Sequence, residues 1–389
     1  MVEAAKKTLR IDADSHFQPL LDHDSLSVLL PDFEPRLVDM IARDAAVFSD
    51  PNARGGGFSG SAAGQQVGAL VGGIAAPKSS GPIGHAEFEE RAKLLPATGF
   101  DMQVLIPDGV FLEKPFKSPI EVAESGIDPL IRYALCVGYN NAVSQAQTTL
   151  ANTFIGGALV PFGGGTVQQC CDEAIRGVKE LGLKAIVIND NWAGRNYDSL
   201  DLYPFWQTVN DLNVPIIVHP APFACQVTDH VPRTYRLGWE RMRRLHISNY
   251  LGFAFEYMVA LASLTLGGVF KEFPNLRFCF YEAGGSWLPW VMFTLDHTYN
   301  VERQCARCDI PPSEQIMKSC FIAVEPYEEP IVGTIAQVGS KNFLVGSDYP
   351  HPPSTFPNTA VGIERLEGLT QQDKDNILGI NARAVFQVP

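Results

Sequence analysis

Pro215-Ile-Ile-Val-His219 is a short β-branched run that ends on an imidazole. Such a run reads as a strand buried on both faces, as in a parallel sheet covered by helices. Seven more runs share its character: Leu9–Asp14, Gln103–Pro107, Phe154–Val160, Lys184–Asn189, Arg277–Glu282, Cys320–Val324 and Asn342–Asp348. Helical stretches separate most of them. Gln168–Leu181 carries apolar residues at helical spacing and ends at Gly182. Tyr250–Phe273 reads as one long apolar helix, stopped before Pro274. Gln371–Phe386 opens with polar and acidic residues and closes the chain. Eight βα units in 389 residues predict an α/β fold, a closed (β/α)8 TIM barrel. An open doubly wound sheet is the alternative, but no GxGxxG loop follows the first strand.

Composition agrees with one large core. Hydrophobic residues make up 46% and charged residues 19%, so the whole chain, 1–389, reads as a single barrel domain. The net charge of -13 argues against nucleic acid and anionic membranes as main partners. The opening Met-Val-Glu-Ala-Ala-Lys-Lys lacks an apolar signal core, and no run approaches the roughly 20 apolar residues of a membrane span. A cytoplasmic protein is therefore expected. Its eight cysteines form no dense framework and read as reduced thiols. Cys305 and Cys308 have metal-type spacing but no second pair nearby.

Two stretches break the βα rhythm. Residues 55–73 are rich in Gly, Ser and Ala and read as a flexible loop. They sit in a long insertion after strand one, as either a lid on the catalytic face or a plain surface loop. Pro220–Arg244, after strand five, belongs to the same upper face.

Barrel enzymes carry their reactive groups at the C-terminal strand ends. Here those ends hold Asp14 and His16, His219, Glu282, and Asp348 with His351. Side chains alternate along a strand, so Asp14 and His16 point the same way. Two imidazoles with carboxylates suit Zn, Mn or Fe, and suit Ca poorly. Asp12 is expected to tether the strand end or to orient a ligand. His246, Glu256 and His351 are candidates as further ligands or to orient the ligands; His246 also reads as a polar residue near a helix start, and His351 as a catalytic or pocket residue. Arg36 reads as either a binder of a substrate carboxylate or a surface salt-bridge partner, and Trp192, Trp287 and Phe17 as either pocket walls or packing. Asn189, Asp190 and Asn191 either face the site or form a turn.

The same residues carry a resemblance. Ile11-Asp-Ala-Asp-Ser-His16, Phe100-Asp-Met-Gln-Val-Leu-Ile-Pro107, Glu180-Leu-Gly-Leu-Lys-Ala-Ile186 and Pro215-Ile-Ile-Val-His-Pro220 form its first half. Gly267-Gly-Val-Phe-Lys-Glu-Phe-Pro-Asn-Leu276, Glu282-Ala-Gly-Gly-Ser-Trp287, Gly346-Ser-Asp-Tyr-Pro-His351 and Ile377-Leu-Gly-Ile-Asn-Ala382 complete it. As a set they resemble the amidohydrolase-related branch of the amidohydrolase superfamily, which includes the aminocarboxymuconate-semialdehyde decarboxylase group. The resemblance implies that Asp14 and His16 match a first-strand pair that is usually His-x-His or Glu-x-His. It implies His219 as the strand-five ligand and Asp348 as the strand-eight carboxylate, which binds metal and handles a proton. Family decarboxylases often have a catalytic His where this chain has Glu282. Glu282 is then either a substitute acid/base or a further ligand.

The leading expectation is a metal-dependent hydrolase acting on a small carbonyl compound, with Asp348 or Glu282 moving the proton. The alternatives are a non-oxidative decarboxylase, a dinuclear Fe or Mn/Fe oxygenase, and a non-catalytic metal-binding partner subunit. A homodimer or an oligomer of related subunits is expected from the resemblance.

Overall fold

The computed structural model describes residues 8–17, 23–49, 85–107, 129–192, 194–220, 251–349 and 354–389, with Leu237, Met242 and Ile247. The Gly-rich stretch 55–73 and most of Pro220–Arg244 lie outside the described residues.

All eight expected strands form. They are β1 (Ile11–Phe17), β2 (Met102–Pro107), β3 (Phe154–Leu159), β4 (Ala185–Ile188), β5 (Ile216–Val218), β6 (Phe278–Phe280), β7 (Cys320–Val324) and β8 (Phe343–Val345). They pair in chain order, every pair parallel. The last strand returns to the first. Ser15 bridges Tyr349, and the His16 amide donates to the Tyr349 carbonyl at 2.6 Å. The amides of Ser347 and Asp348 both donate to the Asp14 carbonyl, at 3.2 and 3.0 Å. The result is a (β/α)8 barrel, as the eight apolar runs predict.

The differences from expectation cluster at the mouth. β1 runs on to Phe17, because its last residues find partners on both sides, in Pro107 and in Tyr349. β6 and β8 stop short of the expected ends, and Glu282 and Asp348 beyond them take left-handed backbone angles.

The helices follow the sequence with two corrections. Helix Val167–Ile175 opens on a capping box between Thr166 and Gln169, and its last turn, Arg176–Glu180, widens to a π-helix. The long helix expected over Tyr250–Phe273 breaks into Leu251–Thr265 and Val269–Glu272, at Gly267-Gly268. At the C-terminus, Asn381 donates its side-chain amide to the carbonyls of Ser340 and Phe343, both at 2.8 Å. That contact anchors the final helix to the base of β8. Among the described residues, no helix is long and apolar enough to cross a membrane.

Candidate metal centre

The site begins with β1. Asp12, Asp14 and His16 occupy alternate positions and are all buried. The register against β2 slips between Asp12 and Ser15, where β1 carries one extra residue. Such a bulge re-aims the side chains beside it. His219 follows β5, its amide held by the Ile188 carbonyl at 3.1 Å. Glu282 follows β6 with φ 61°, and Asp348 lies beyond β8 with φ 54°. A non-glycine residue there costs roughly 1–2 kcal/mol, and such strain collects at functional sites.

These residues meet. His16 Nε2 is 3.1 Å from Asp348 Oδ1, and 3.6 Å from both Asp14 Oδ1 and Glu282 Oε1. His219 Nε2 is 3.1 Å from Glu282 Oε1. The two imidazole rings meet edge to face, 4.8 Å between centroids. His16 Nδ1 lies 3.0 Å from the Pro107 carbonyl, which fixes that nitrogen as the protonated one and leaves Nε2 to face the carboxylates.

A further shell orients the strand ends. Asp12 accepts from Gln103 Nε2 at 2.8 Å, and from the amide and hydroxyl of Ser347 at 2.8 and 2.6 Å. It thereby ties β1 to both neighbouring strands, as the sequence suggests. The buried Arg91, on helix His85–Thr98, donates to the His16 carbonyl at 2.8 Å and stacks over the Tyr349 ring at 4.6 Å. Gly346 lies so close to Asp14 that a Cβ there would stand 2.3 Å from the Asp14 Cβ.

The carboxyls are crowded. Burial pushes Asp14 well above the usual carboxylate range; His16 opposes this, while Glu282 and Asp348 add to it. Burial raises Asp12 to about 6, against the hydrogen bonds from Ser347 and Gln103. Glu325, directly after β7, is raised well above its ordinary value by burial, then by Asp348, Asp14 and Glu282.

A divalent cation fits this donor set. One donor atom from each of Asp14, His16, His219 and Glu282 falls within a 4.8 Å cluster. Asp14 Oδ1 and both ring nitrogens of His219 are buried without a hydrogen bond among the described residues. Buried polar atoms in that state are costly unless something else pairs with them. Imidazole nitrogens mixed with carboxylate oxygens suit Zn, Mn or Fe.

The other predicted residues fall elsewhere. Arg36 is exposed on the first turn of helix Pro35–Ser49, outside the cluster. Trp192 is buried edge-on against Phe162, centroids 4.8 Å apart. Trp287 donates its indole N–H back to the carbonyls of Ala283 and Gly284, both at 3.0 Å. Phe17 packs into the core against Phe88 at 4.1 Å. Asn191 caps a turn by accepting from the Gly194 amide, and Glu256 accepts from the Leu237 amide. Cys305 is exposed, Cys308 is buried, and both are free thiols. His246 and His351 lie outside the described residues.

Glu325 was not among the predicted residues. The strand-end rule that singled out Glu282 and Asp348 would have found it, applied one residue past Val324. Arg91 gave no such signal, because a basic residue on an amphipathic helix ordinarily faces water.

A model of the amidohydrolase family matches residues 128–388. The chain belongs to the amidohydrolase family. It is 28% identical, over 249 residues, to the 2-amino-3-carboxymuconate-6-semialdehyde decarboxylase of Dictyostelium discoideum. That match covers 62% of this chain and 64% of the relative's length. Among solved structures, the 5-carboxyvanillate decarboxylase of Sphingomonas paucimobilis superposes with a TM-score of 0.66 at 18% identity, over 98% of this family member and 100% of that chain. The 5-carboxyvanillate decarboxylase of Novosphingobium aromaticivorans, in complex with manganese and 4-hydroxy-3-methoxy-5-nitrobenzoic acid, also gives 0.66 at 18% identity, over 99% and 97% of the two chains. At that identity the superpositions establish the barrel fold of this amidohydrolase.

Proposed function

We propose that the chain is a divalent-metal-dependent decarboxylase of a small conjugated or aromatic carboxylic acid. The observation that carries this reading is the convergence of Asp14, His16, His219 and Glu282, with donor atoms within 4.8 Å, beside Asp348 at the barrel mouth. The names of the relative and of the solved neighbours support loss of carbon dioxide better than the hydrolysis expected first.

Asp14, His16, His219, Glu282 and Asp348 would hold the metal, with manganese supported by the solved neighbour. When bound, it supplies a Lewis acid that anchors the substrate's oxygens. Decarboxylation exchanges a carboxylate for a proton. The C–C bonding pair stays on the carbon, carbon dioxide leaves, and one proton arrives. We assign the delivery to Glu325, the carboxyl at the mouth outside the donor set. Pro107 holds the His16 tautomer and Asp12 holds the strand ends, so both keep the donors pre-aligned.

The test is carbon dioxide release by the manganese-loaded protein, without oxygen, from carboxylated muconate semialdehydes and hydroxybenzoic acids. Release that disappears in Asp14→Ala supports the reading. Hydrolysis of amides or esters of the same acids, with no carbon dioxide, would return the hydrolase to first place.

A further inference from the structure

Glu282 reaches the two imidazoles from a turn held in part by a side chain of another loop. The turn runs from β6 to helix Leu288–Val301 and holds two left-handed residues, Glu282 and Gly284, each with φ 61°. A non-glycine residue keeps such an angle only where its surroundings over-determine it. Here one side chain from another loop does much of that work. Glu328, which follows β7, accepts the Gly285 amide with Oε1 at 2.9 Å and with Oε2 at 3.1 Å. Its Oε1 also accepts the Ser286 amide at 2.7 Å. Hydrogen bonds to an ionised acceptor are the stronger class, and a carboxylate is favoured before the first turn of a helix.

The fit leaves no slack. A Cβ on Gly284 would stand 2.8 Å from Glu328 Oε1. Across the turn, the Trp287 indole N–H bonds the carbonyls of Ala283 and Gly284. One side chain therefore takes the turn's amides and another its carbonyls. The residue they leave to project into the mouth is Glu282, 3.1 Å from His219 Nε2 and 3.6 Å from His16 Nε2.

We infer that Glu328 is a positioning residue for Glu282, clamping the turn 283–286 so that the Glu282 carboxylate stays at the metal-binding cluster. The inference rests on the reading of Glu282 as a metal donor. Glu328 acts through the backbone. Its loss should therefore weaken metal binding only as far as Glu282 contributes to it.

The experiment measures the manganese affinity of the full chain by calorimetric titration, with an unfolding temperature for each metal-free variant. Glu328→Gln loses one acceptor oxygen and turns an NH2 toward backbone N–H groups. It should bind manganese roughly 10–100-fold more weakly. Glu282→Gln should lose at least as much. The double variant should match Glu282→Gln alone, because a clamp with nothing to hold has no effect. Gly284→Ala should reproduce the loss by pushing Glu328 aside. If Glu328→Gln does not fold, Glu328→Asp takes its place, with a smaller loss expected. Wild-type affinity in the Glu328 variant, beside a weakened Glu282→Gln, overturns the clamp and leaves Glu282 a donor. Additive losses in the double variant also overturn it, since Glu328 would then act on its own. Wild-type affinity in Glu282→Gln removes the donor reading, and the clamp with it.

Discussion

His16 Nε2 stands 3.1 Å from Asp348 Oδ1, so a side-chain contact joins the backbone bonds that close the first strand of the barrel on the segment after the last. The meeting is prepared on both sides. The Pro107 carbonyl orients the imidazole, and a left-handed backbone turns Asp348 away from its strand. His16→Ala should therefore abolish tight manganese binding while the barrel still folds, because the backbone bonds of β1 remain. Elemental analysis of the purified variant, beside its circular dichroism, checks this. Wild-type metal content in folded His16→Ala protein would remove the residue from the donor set.

Removal of the metal should lower stability. At free metal about 100 times its Kd, bound metal adds roughly 2.7 kcal/mol. Without it, the buried Asp14 and Glu325 carboxyls are crowded by Glu282 and Asp348 with no cation to offset them. Chelated protein should unfold at lower temperature than loaded protein, and Asp14→Asn should narrow the gap. Equal unfolding temperatures with and without metal would count against the site.

The metal-free protein should also lose stability as pH rises from about 4 to 6. Asp12 titrates near 3.8 when unfolded and is raised to about 6 in the fold. The folded state therefore holds this proton more tightly. Its contribution is fully present below the unfolded value and is lost as pH climbs through the folded one. A shift of this size corresponds to about 3 kcal/mol at most. Asp14 and Glu325 move in the same direction and steepen the slope. Urea midpoints of chelated protein across this range should fall with pH, and less so in Asp12→Asn. A flat profile in the wild type would contradict the burial of these carboxyls.

Gly346→Ala should disable the site without touching a donor. The added methyl would stand 2.3 Å from the Asp14 Cβ, so strand or side chain must shift. Overpacking of this kind costs about 1–3 kcal/mol. Manganese affinity should fall while secondary structure persists. An unchanged affinity would mean that Asp14 can move without consequence.

Glu325→Gln should retain the metal and lose turnover if Glu325 delivers the proton. Its metal content, by elemental analysis, should stay at about one ion per chain, as in the wild type. A wild type with about two ions, one of them lost in Glu325→Gln, would favour a dinuclear centre instead.

The barrel was legible because its strands are apolar on both faces. Pro215-Ile-Ile-Val-His219 needs no partner to be read as a buried strand ending in a reactive group. Asp14, His16, Glu282 and Asp348 could be singled out because they fall together on predicted strand ends; each alone could as well be a helix cap or a core residue. The turns that aim them were not legible. The extra residue in β1 and the left-handed angles at Glu282 and Asp348 arise from contacts between distant segments, and no local pattern encodes them. Glu325 escaped because Glu325-Pro326 reads as a turn after the strand. Arg36 was singled out and Arg91 was not, because only tertiary packing separates an exposed guanidinium from one folded against the His16 carbonyl.

The seam between β1 and β8 also sets when the centre can exist. Asp14 and His16 leave the ribosome well before Asp348. Until then the Asp14 carbonyl lacks the amides of Ser347 and Asp348, and His16 lacks the Asp348 carboxylate. A chain cut short before its eighth strand therefore lacks part of the donor set. The donor set with Asp348 in it is thus complete only after the eighth strand has paired with the first.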